Sequence, residues 1–224
     1  MRLSIATILA FTGISCALTH AVDSSSHVST VIYKKALSEG FTRAIFRGYQ
    51  EACGSGGRVD PNFVPSYKNA QAAGYKNFDA YFFPCSGKDN KCKPYSTQIH
   101  ELVDTIEKNK LAIRRIWIDI ETDRICNPWN YGSQGNIAEA KKIIQAVRDT
   151  KKDFGIYTSA SKWVNIFGSK NVVLANDVPL WFAKFDNVET LDLVSPFGGW
   201  TKADAKQYTD KSGSGQFDLN VFSA

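Results

Sequence analysis

The chain contains 224 residues, of which 43% are hydrophobic and 12% are aromatic. This length and apolar content can bury one substantial core, so they exclude a disordered or low-complexity chain. The formal charge of +5 would suit a polyanionic partner, but no basic run interleaved with aromatic residues indicates nucleic-acid binding.

The first residues have the pattern of a secretory signal peptide. Arg2 precedes an apolar run, and small residues follow at 15–19. The run is short for a spanning helix and lacks a stop-transfer flank, so we favour a signal over a membrane anchor or a buried first strand. We expect residues 1–19 to be removed, with cleavage between Ala17 and Ala21. The product, 20–224, would be extracellular or reach a lysosome, phagosome or gut lumen, without membrane association.

Cysteine usage agrees with secretion. Cys16 would leave with the signal, and an even number remains: Cys53, Cys85, Cys92 and Cys126. Such a set in a secreted chain predicts two disulfides, for which three pairings are possible. We favour Cys85–Cys92, which closes the short loop CSGKDNKC, and this leaves Cys53–Cys126. Zinc binding is less favoured because C-x-x-C is absent and the histidines are scattered; we expect no metal and no cofactor.

Short β-rich segments alternate with helical patterns along the chain. Strands are predicted at 21–26, 43–50, 77–84, 114–121, 153–159, 179–185, 205–210 and 216–222. Amphipathic helices are predicted over 95–110 and 136–152. This alternation predicts a single-domain α/β fold, an irregular TIM-like (β/α) barrel of about eight mostly parallel strands. The barrel is expected to be least regular from residue 195 onward, where long helical patterns are lacking.

The predicted strand at 114–121 ends with two carboxylates, Asp119 and Glu121, among apolar residues. Side chains at i and i+2 share a face of a strand, so Trp117 should point the same way as both. Ile118 and Ile120 should face the helices. Barrel active sites open at the carboxyl ends of the strands, which would place both carboxylates at the mouth, above Trp117.

Three other predicted strands carry an aspartate among apolar or small residues: Asp23, Asp79 and Asp218. Crowded, partly buried carboxylates push their pKa values apart, so that one can donate a proton while its neighbours stay ionised. Such a set suits acid catalysis at an acetal, as in glycoside hydrolysis. For Asp79 alone, a structural hydrogen-bonding role is an equal alternative, and paired carboxylates also occur in metal sites.

A series of motifs in order resembles glycoside hydrolase family 25, the muramidases of the Chalaropsis type, from about residue 21 to 222. These motifs are AVDSSS, AIFRGYQ, DPNFVPSYKNAQAAG, YKNFDAYFFP, WIDIE, GIYTS, PLWFAKF and QY…FDLNVF. The cysteines resemble the secreted eukaryotic branch. One departure is Ser24, where the family more usually has an aliphatic residue directly after Asp23.

The resemblance implies a lysozyme that hydrolyses the β-1,4 bond between N-acetylmuramic acid and N-acetylglucosamine in peptidoglycan, with retention, for defence against bacteria or their digestion. Glu121 matches the general acid. Asp119 matches a carboxylate that acts as nucleophile or stabilises an intermediate formed by the substrate's acetamido group. Asp23 and Asp218 would orient this pair and keep its ionisation states apart.

The resemblance also implies that Tyr81, Tyr157 and Trp181 line the substrate cleft, and Asp79 is a further candidate for substrate contact. The alternative for the aromatic residues is a place in the core. Two other functions stay open: a wall-binding protein with little turnover and a hydrolase directed at chitin. The first is less favoured because the chain keeps all four acidic positions. We expect a monomer whose partner is bacterial peptidoglycan.

Overall fold

The strands of the computed structural model, which describes residues 18–223, close into a barrel surrounded by helices. The strands are β1 Leu18–Ser24, β2 Arg43–Gln50, β3 Arg58–Val59, β4 Asn77–Phe82, β5 Ile113–Asp119, β6 Phe154–Thr158, β7 Leu180–Ala183, β8 Asp192–Phe197, β9 Trp200–Lys202, β10 Ala205–Thr209 and β11 Asp218–Ser223. The helices are α1 Thr30–Ser38, α2 Phe63–Ala73, α3 Tyr95–Lys108, α4 Gly132–Asp149 and α5 Ala160–Phe167. Most of the predicted signal peptide, residues 1–17, lies outside the described residues, whereas Leu18 and Thr19 belong to β1.

Eight of the strands in residues 18–223 form the barrel, in the order β1, β2, β4, β5, β6, β7, β10 and β11. Neighbours from β1 to β10 are parallel, whereas β11 is antiparallel to both β10 and β1. A parallel return needs a crossover of about a dozen residues or more, and only 210–217 separate β10 from β11. The predicted irregular, mostly parallel barrel is therefore confirmed, with its antiparallel strand at the C-terminal side.

Two apolar layers follow from the alternation of side chains along the strands. The inner layer fills the barrel with Trp117, Trp181, Phe222 and smaller side chains. The outer layer lies between strands and helices and includes Ile118 and Ile120. The predicted orientation of this strand is thus confirmed.

Packing inside the barrel also requires a glycine at one position of β6. A Cβ atom at Gly155 of β6 would clash with the Trp117 ring and with the carbonyl oxygen of Pro179. The large indole therefore fits between the strands only because its neighbour in the β5–β6 register has no side chain.

The helices α3 and α4 match their predicted positions, whereas α1, α5 and the β8–β9 hairpin were not predicted. The two unpredicted helices are short. Helix α1 spans nine residues and buries only Tyr33 and Ala36, and α5 spans eight residues. So few turns give a weak periodic signal. Among the described residues, no helix is both long and apolar enough to cross a membrane.

The structure contains both favoured disulfides. Cys85–Cys92 closes a loop after β4, with Cα atoms 5.5 Å apart. Cys53–Cys126, with Cα atoms 5.7 Å apart, joins the segment after β2 to the segment after β5. The second bond therefore links two chain segments at the mouth of the barrel.

Candidate active site

A cleft of about 210 Å³ opens at the carboxyl ends of the parallel strands. The four acidic residues of the sequence prediction line it: Asp23, Asp119, Glu121 and Asp218. Asp23 lies near the end of β1, Asp119 ends β5, and Glu121 follows two residues later. Asp218 begins β11, and because this strand runs antiparallel, its amino end lies at the same mouth, opposite Asp23 in the strand register. The structure therefore brings together residues that are far apart in the sequence.

Asp23 is buried and held by two amide side chains. Asn220 Nδ2 and Gln207 Nε2 both donate to Asp23 Oδ2, at 2.7 and 2.9 Å. Burial and the charge of Asp218 raise the pKa of Asp23 to about 8, although the two amide hydrogen bonds oppose this shift. Burial and the charge of Asp210 raise the pKa of Asp218 to about 6. This side of the cleft therefore holds protons more firmly than isolated aspartates would.

The two amides are themselves oriented by aromatic side chains. Tyr157 donates its hydroxyl proton to Gln207 Oε1 at 2.7 Å, and Trp181 Nε1 donates to Asn220 Oδ1 at 2.8 Å. Each amide oxygen is thereby occupied, so each amide NH₂ group faces the carboxylates. Gln207 Nε2 also reaches Asp218 Oδ2 at 3.1 Å. One network thus connects the aromatic wall to both aspartates.

Sequence reasoning missed Gln207 and Asn220. A signal existed for Asn220, which lies two residues after Asp218 on β11 and therefore shares its face. Gln207 lies in β10, where every residue is buried, so alternation of polar and apolar residues did not mark it.

Asp119 and Glu121 form the other side of the cleft. Asp119 is buried, and its Oδ1 atom has no hydrogen-bond partner among the described residues. Burial, followed by the charges of Glu121 and Glu51, raises its pKa well above the usual value. Burial also raises the pKa of Glu121, against the opposing charge of Lys162, whose ammonium lies 3.9 Å away. The Glu121 side chain is 34% exposed, so it can both hold a proton and reach a ligand.

Two basic groups that the sequence did not single out border these carboxylates. Arg47 lines the cleft, and its Nε donates to Asp60 at 2.5 Å. Its positive charge favours the ionised form of Asp119. Lys162 Nζ donates to Thr122 Oγ1 at 2.6 Å, which holds the ammonium beside Glu121. Each carboxylate of the pair is therefore influenced by a cation, although Arg47 is itself paired with Asp60.

The three predicted aromatic residues all line the cleft. Tyr81 and Tyr157 are partly exposed, so their rings are available to a ligand. Trp181 is buried, with its ring centroid 4.5 Å from that of Tyr157 and 5.7 Å from that of Trp117. It therefore forms the floor beneath the cleft and not a stacking face.

Asp79 does not line the cleft, so the structure does not support its predicted contact with substrate. It is buried inside the barrel, where Oδ2 accepts a hydrogen bond from Trp117 Nε1 at 3.1 Å and lies 3.7 Å from the Arg43 guanidinium. Asp79 shares a strand face with Tyr81 but lies two residues earlier on β4, and so one layer deeper. Its position fits the alternative for Asp79, a structural hydrogen-bonding role inside the barrel.

Glu51 is a further buried carboxyl that was not predicted. It follows β2 directly and is 4% exposed, and its Oε1 atom has no hydrogen-bond partner within residues 18–223. Burial and the charges of Asp123 and Glu121 raise its pKa to about 8. Its carboxylate lies within 4.8 Å of Asp123 and Cys126. Because Cys126 is bonded to Cys53, it offers no thiolate, and two carboxylates alone fit a shared proton better than a metal ion.

The known proteins found by sequence comparison and by structure comparison agree with one another. A family model described as "Lysozyme-like protein 1" matches residues 15–208. The chain is 35% identical to "Probable GH family 25 lysozyme 5" of Dictyostelium discoideum, over 93% of this chain and 92% of that protein. It is 34% identical to "Probable GH family 25 lysozyme 4" of the same organism, over 84% and 82%. A muramidase structure from Acremonium alcalophilum has the same fold, with a TM-score of 0.67 and 17% identity over 92% of this chain and 93% of that one.

Proposed function

This chain belongs to glycoside hydrolase family 25, and from that membership we propose that it is a secreted lysozyme acting on bacterial peptidoglycan. The bond cleaved is the β-1,4 linkage between N-acetylmuramic acid and N-acetylglucosamine. The observation that carries the proposal is the meeting of Asp23, Asp119, Glu121 and Asp218 in one cleft. Secretion is supported by the leader pattern at Arg2 and by the two disulfides, which persist in oxidising compartments.

Glu121 is the proposed general acid. Burial raises its pKa, so it can carry a proton into the complex, and its partial exposure lets it reach the glycosidic oxygen. As the bond to the leaving sugar breaks, Glu121 transfers this proton to the departing oxygen. The resulting carboxylate is held beside Lys162, which favours the ionised product. It can then take a proton from the attacking water.

Asp119 is the proposed partner of the positive charge that develops at the anomeric carbon. Its anion is favoured by Arg47 and disfavoured by burial and by the charge of Glu121. A proton on Glu121 removes that repulsion, so the proposed productive state has Glu121 protonated and Asp119 ionised. Asp119 either attacks the anomeric carbon or stabilises the ring formed when the substrate's acetamido oxygen attacks it. Both routes invert the centre twice and therefore retain its configuration.

Asp23 and Asp218 are proposed to position the sugar and tune the pair. Both are held by Gln207, and Asp23 is also held by Asn220. Because the pKa of Asp23 is raised to about 8, it can donate a hydrogen bond to a substrate oxygen at neutral pH while adding no charge. Tyr81 and Tyr157 offer their rings beside these groups.

The decisive substitution is Glu121→Gln, which keeps the shape of the side chain and removes the transferable proton. We expect the turnover of purified peptidoglycan to fall by about 10²- to 10⁴-fold, the usual contribution of a general acid. Mass spectrometry of the released fragments reports both the rate and the bond cleaved. Parallel digestion of chitin separates the muramidase function from the chitin-directed alternative.

The matched control is Glu107→Gln, at an exposed glutamate on α3 whose carboxylate binds Lys152 at 2.8 Å. This variant should digest peptidoglycan at the wild-type rate. Equal rates for Glu121→Gln and wild type would overturn the assignment of the acid. A wild-type protein that binds the wall without releasing fragments would instead support the binding-module alternative.

A further inference from the structure

A second groove leaves the catalytic cleft past Glu121. Its near part, about 320 Å³, shares Glu121 and Tyr157 with the cleft and is also lined by Lys162 and Phe185. Its far part, about 500 Å³, continues along the segment after β7 and is lined by Phe182, Val188 and Val194. The two parts share the lining residues Ser159, Ser161, Ala183 and Lys184. We call this continuous channel, from Glu121 to Val194, the side groove.

The side groove collects exposed apolar side chains. Seven large hydrophobic residues are exposed within residues 18–223, and three of them line this groove. They are Phe185, Val188 and Val194, which are 54%, 50% and 91% exposed. Apolar side chains that border a cavity together, and are not scattered singly, indicate a binding surface. The polar cleft and this apolar extension therefore suit different parts of one ligand.

The direction of the side groove identifies which part of the substrate enters it. A general acid stands beside the oxygen of the leaving group, because that oxygen receives its proton. The side groove starts at Glu121, whereas Asp23 and Asp218 lie in the cleft itself. We therefore place the side groove on the leaving-group side of the bound glycan chain.

The charges along the side groove have a definite order. Lys162 lines the near part, and Lys184 lines both parts. Lys184 and the buried Lys206 of the far part share one carboxylate, that of Asp186, at 3.0 and 2.6 Å, which leaves a net positive charge. Asp192 also lines the far part. An occupant with a carboxylate near the cleft, methyl groups along its length and an amine farther out would match this order.

The peptide stem of peptidoglycan has that chemistry. It begins with alanine, continues through a glutamate that carries a free carboxylate and reaches a diamino acid with an amine. Bare sugar chains carry hydroxyl groups along their whole length and gain less from an apolar wall. We propose that the side groove binds the peptide stem of the muramic acid that follows the leaving N-acetylglucosamine, so that the enzyme prefers peptide-substituted glycan. This inference rests on the proposed function, from which it takes the position of the acid.

Two substrates and two matched variants test the inference. Intact peptidoglycan is compared with the same glycan after an amidase has removed its stems, and kcat/KM is measured by reducing ends. Val194→Lys puts a positive charge beside the place proposed for the amine of the stem, at a position so exposed that folding is not at risk. Val31→Lys, at a 73% exposed valine on α1, is the control.

For wild type and Val31→Lys, we expect kcat/KM on intact peptidoglycan to exceed that on stripped glycan by about tenfold. Val194→Lys should lose most of this preference, through a lower kcat/KM on intact peptidoglycan. Equal cleavage of both substrates by wild type, or the same preference in both variants, would overturn the inference and leave the proposed function intact. Failure to cleave either substrate would count against the proposed function instead.

A direct binding measurement tests the side groove without turnover. The free tetrapeptide L-Ala-γ-D-Glu-L-Lys-D-Ala is titrated into wild type, and the methyl NMR signals of Val188 and Val194 are followed. We expect saturable shifts of these signals, with those of Val31 unchanged. Absence of any shift at millimolar peptide would contradict the assignment, whatever the activity assays show.

Discussion

Gln207 connects more of the cleft than any acidic residue does, since it bonds to Asp23, Asp218 and Tyr157. Replacement by methionine keeps its length but removes the donor and the acceptor. The Tyr157 hydroxyl would lose its acceptor, and each buried polar group left unpaired costs about 1–3 kcal/mol. Gln207 also lowers the pKa of Asp23, so this pKa should rise further in the variant.

For Gln207→Met we therefore expect a fall in kcat of about tenfold or more, corresponding to about 1.4 kcal/mol, and a displaced pH–rate profile. The measurement is peptidoglycan turnover between pH 4 and 9. Gln145→Met on α4, where the amide binds only the exposed Asp149, serves as control. An unchanged profile would show that Gln207 does not tune the aspartates.

Glu51 should make stability depend on pH. Its pKa rises from an ordinary 4.5 to about 8 through burial and through the charges of Asp123 and Glu121. The folded protein therefore binds this proton more tightly than the unfolded chain, so stability falls as pH rises from about 4.5 to 8. The loss amounts to at most about 1.4 kcal/mol for each pH unit in that window.

Glu51→Gln stays neutral at every pH and should remove this loss. We expect the free energy of unfolding in urea to exceed that of wild type at pH 8 and to approach it at pH 5. Glu107→Gln, at an exposed position, should follow wild type at both values. A variant that is less stable than wild type at pH 8 would show that Glu51 works as an anion.

Among the elements, the segment after β5 is the one whose conformation matters most to the site, because it carries Glu121 and Asp123. Asp123 Oδ1 accepts from the backbone N–H groups of Ile125 and Cys126, both at 2.7 Å, which shapes the turn. The Cys53–Cys126 disulfide then ties this turn to the end of β2. Local hydrogen bonds thus set its conformation, and the disulfide sets its position over the barrel.

Removing the two disulfides separately should have unequal effects. The chain-entropy estimate is about 4 kcal/mol for Cys53–Cys126, which spans 73 residues, and about 2 kcal/mol for Cys85–Cys92, which spans 7. Paired Cys→Ala variants compared by urea unfolding test this order. The variant without Cys53–Cys126 should also have a lower kcat/KM, because Glu121 is then less well placed. Equal losses of stability would contradict the loop-length argument.

The strands show what could be inferred from sequence and what could not. The period of two predicted that Asp119 and Glu121 share a face with Trp117, because that rule depends only on backbone geometry. The same rule does not predict how deep in the barrel a side chain lies. It therefore did not show that Asp79, on the same strand face as Tyr81, lies one layer below the cleft. Short helices, and polar residues inside fully buried strands, leave no periodic signal.

At the scale of the molecule, a basic chain encloses an acidic cleft. The formal charge is +5, yet the cleft gathers four carboxylates with Arg47 as the cation among its lining residues. The positive excess therefore lies outside the cleft, where it favours encounter with an anionic surface, while the crowded carboxyls hold their protons inside. Composition predicted the first property, and only the closed barrel creates the second.

The pairing of β1 with β11 has a consequence for biosynthesis. His20 is in register with Val221, and Asp23 with Asp218, so the sheet closes only when the last strand of the described chain meets the first. While the polypeptide emerges from the ribosome, one side of β1 stays unpaired, and Asp23 lacks its hydrogen bond from Asn220. Such long-range closure is slow compared with local folding. We therefore expect the nascent chain to be inactive, with an open sheet edge, until translation of this segment is complete.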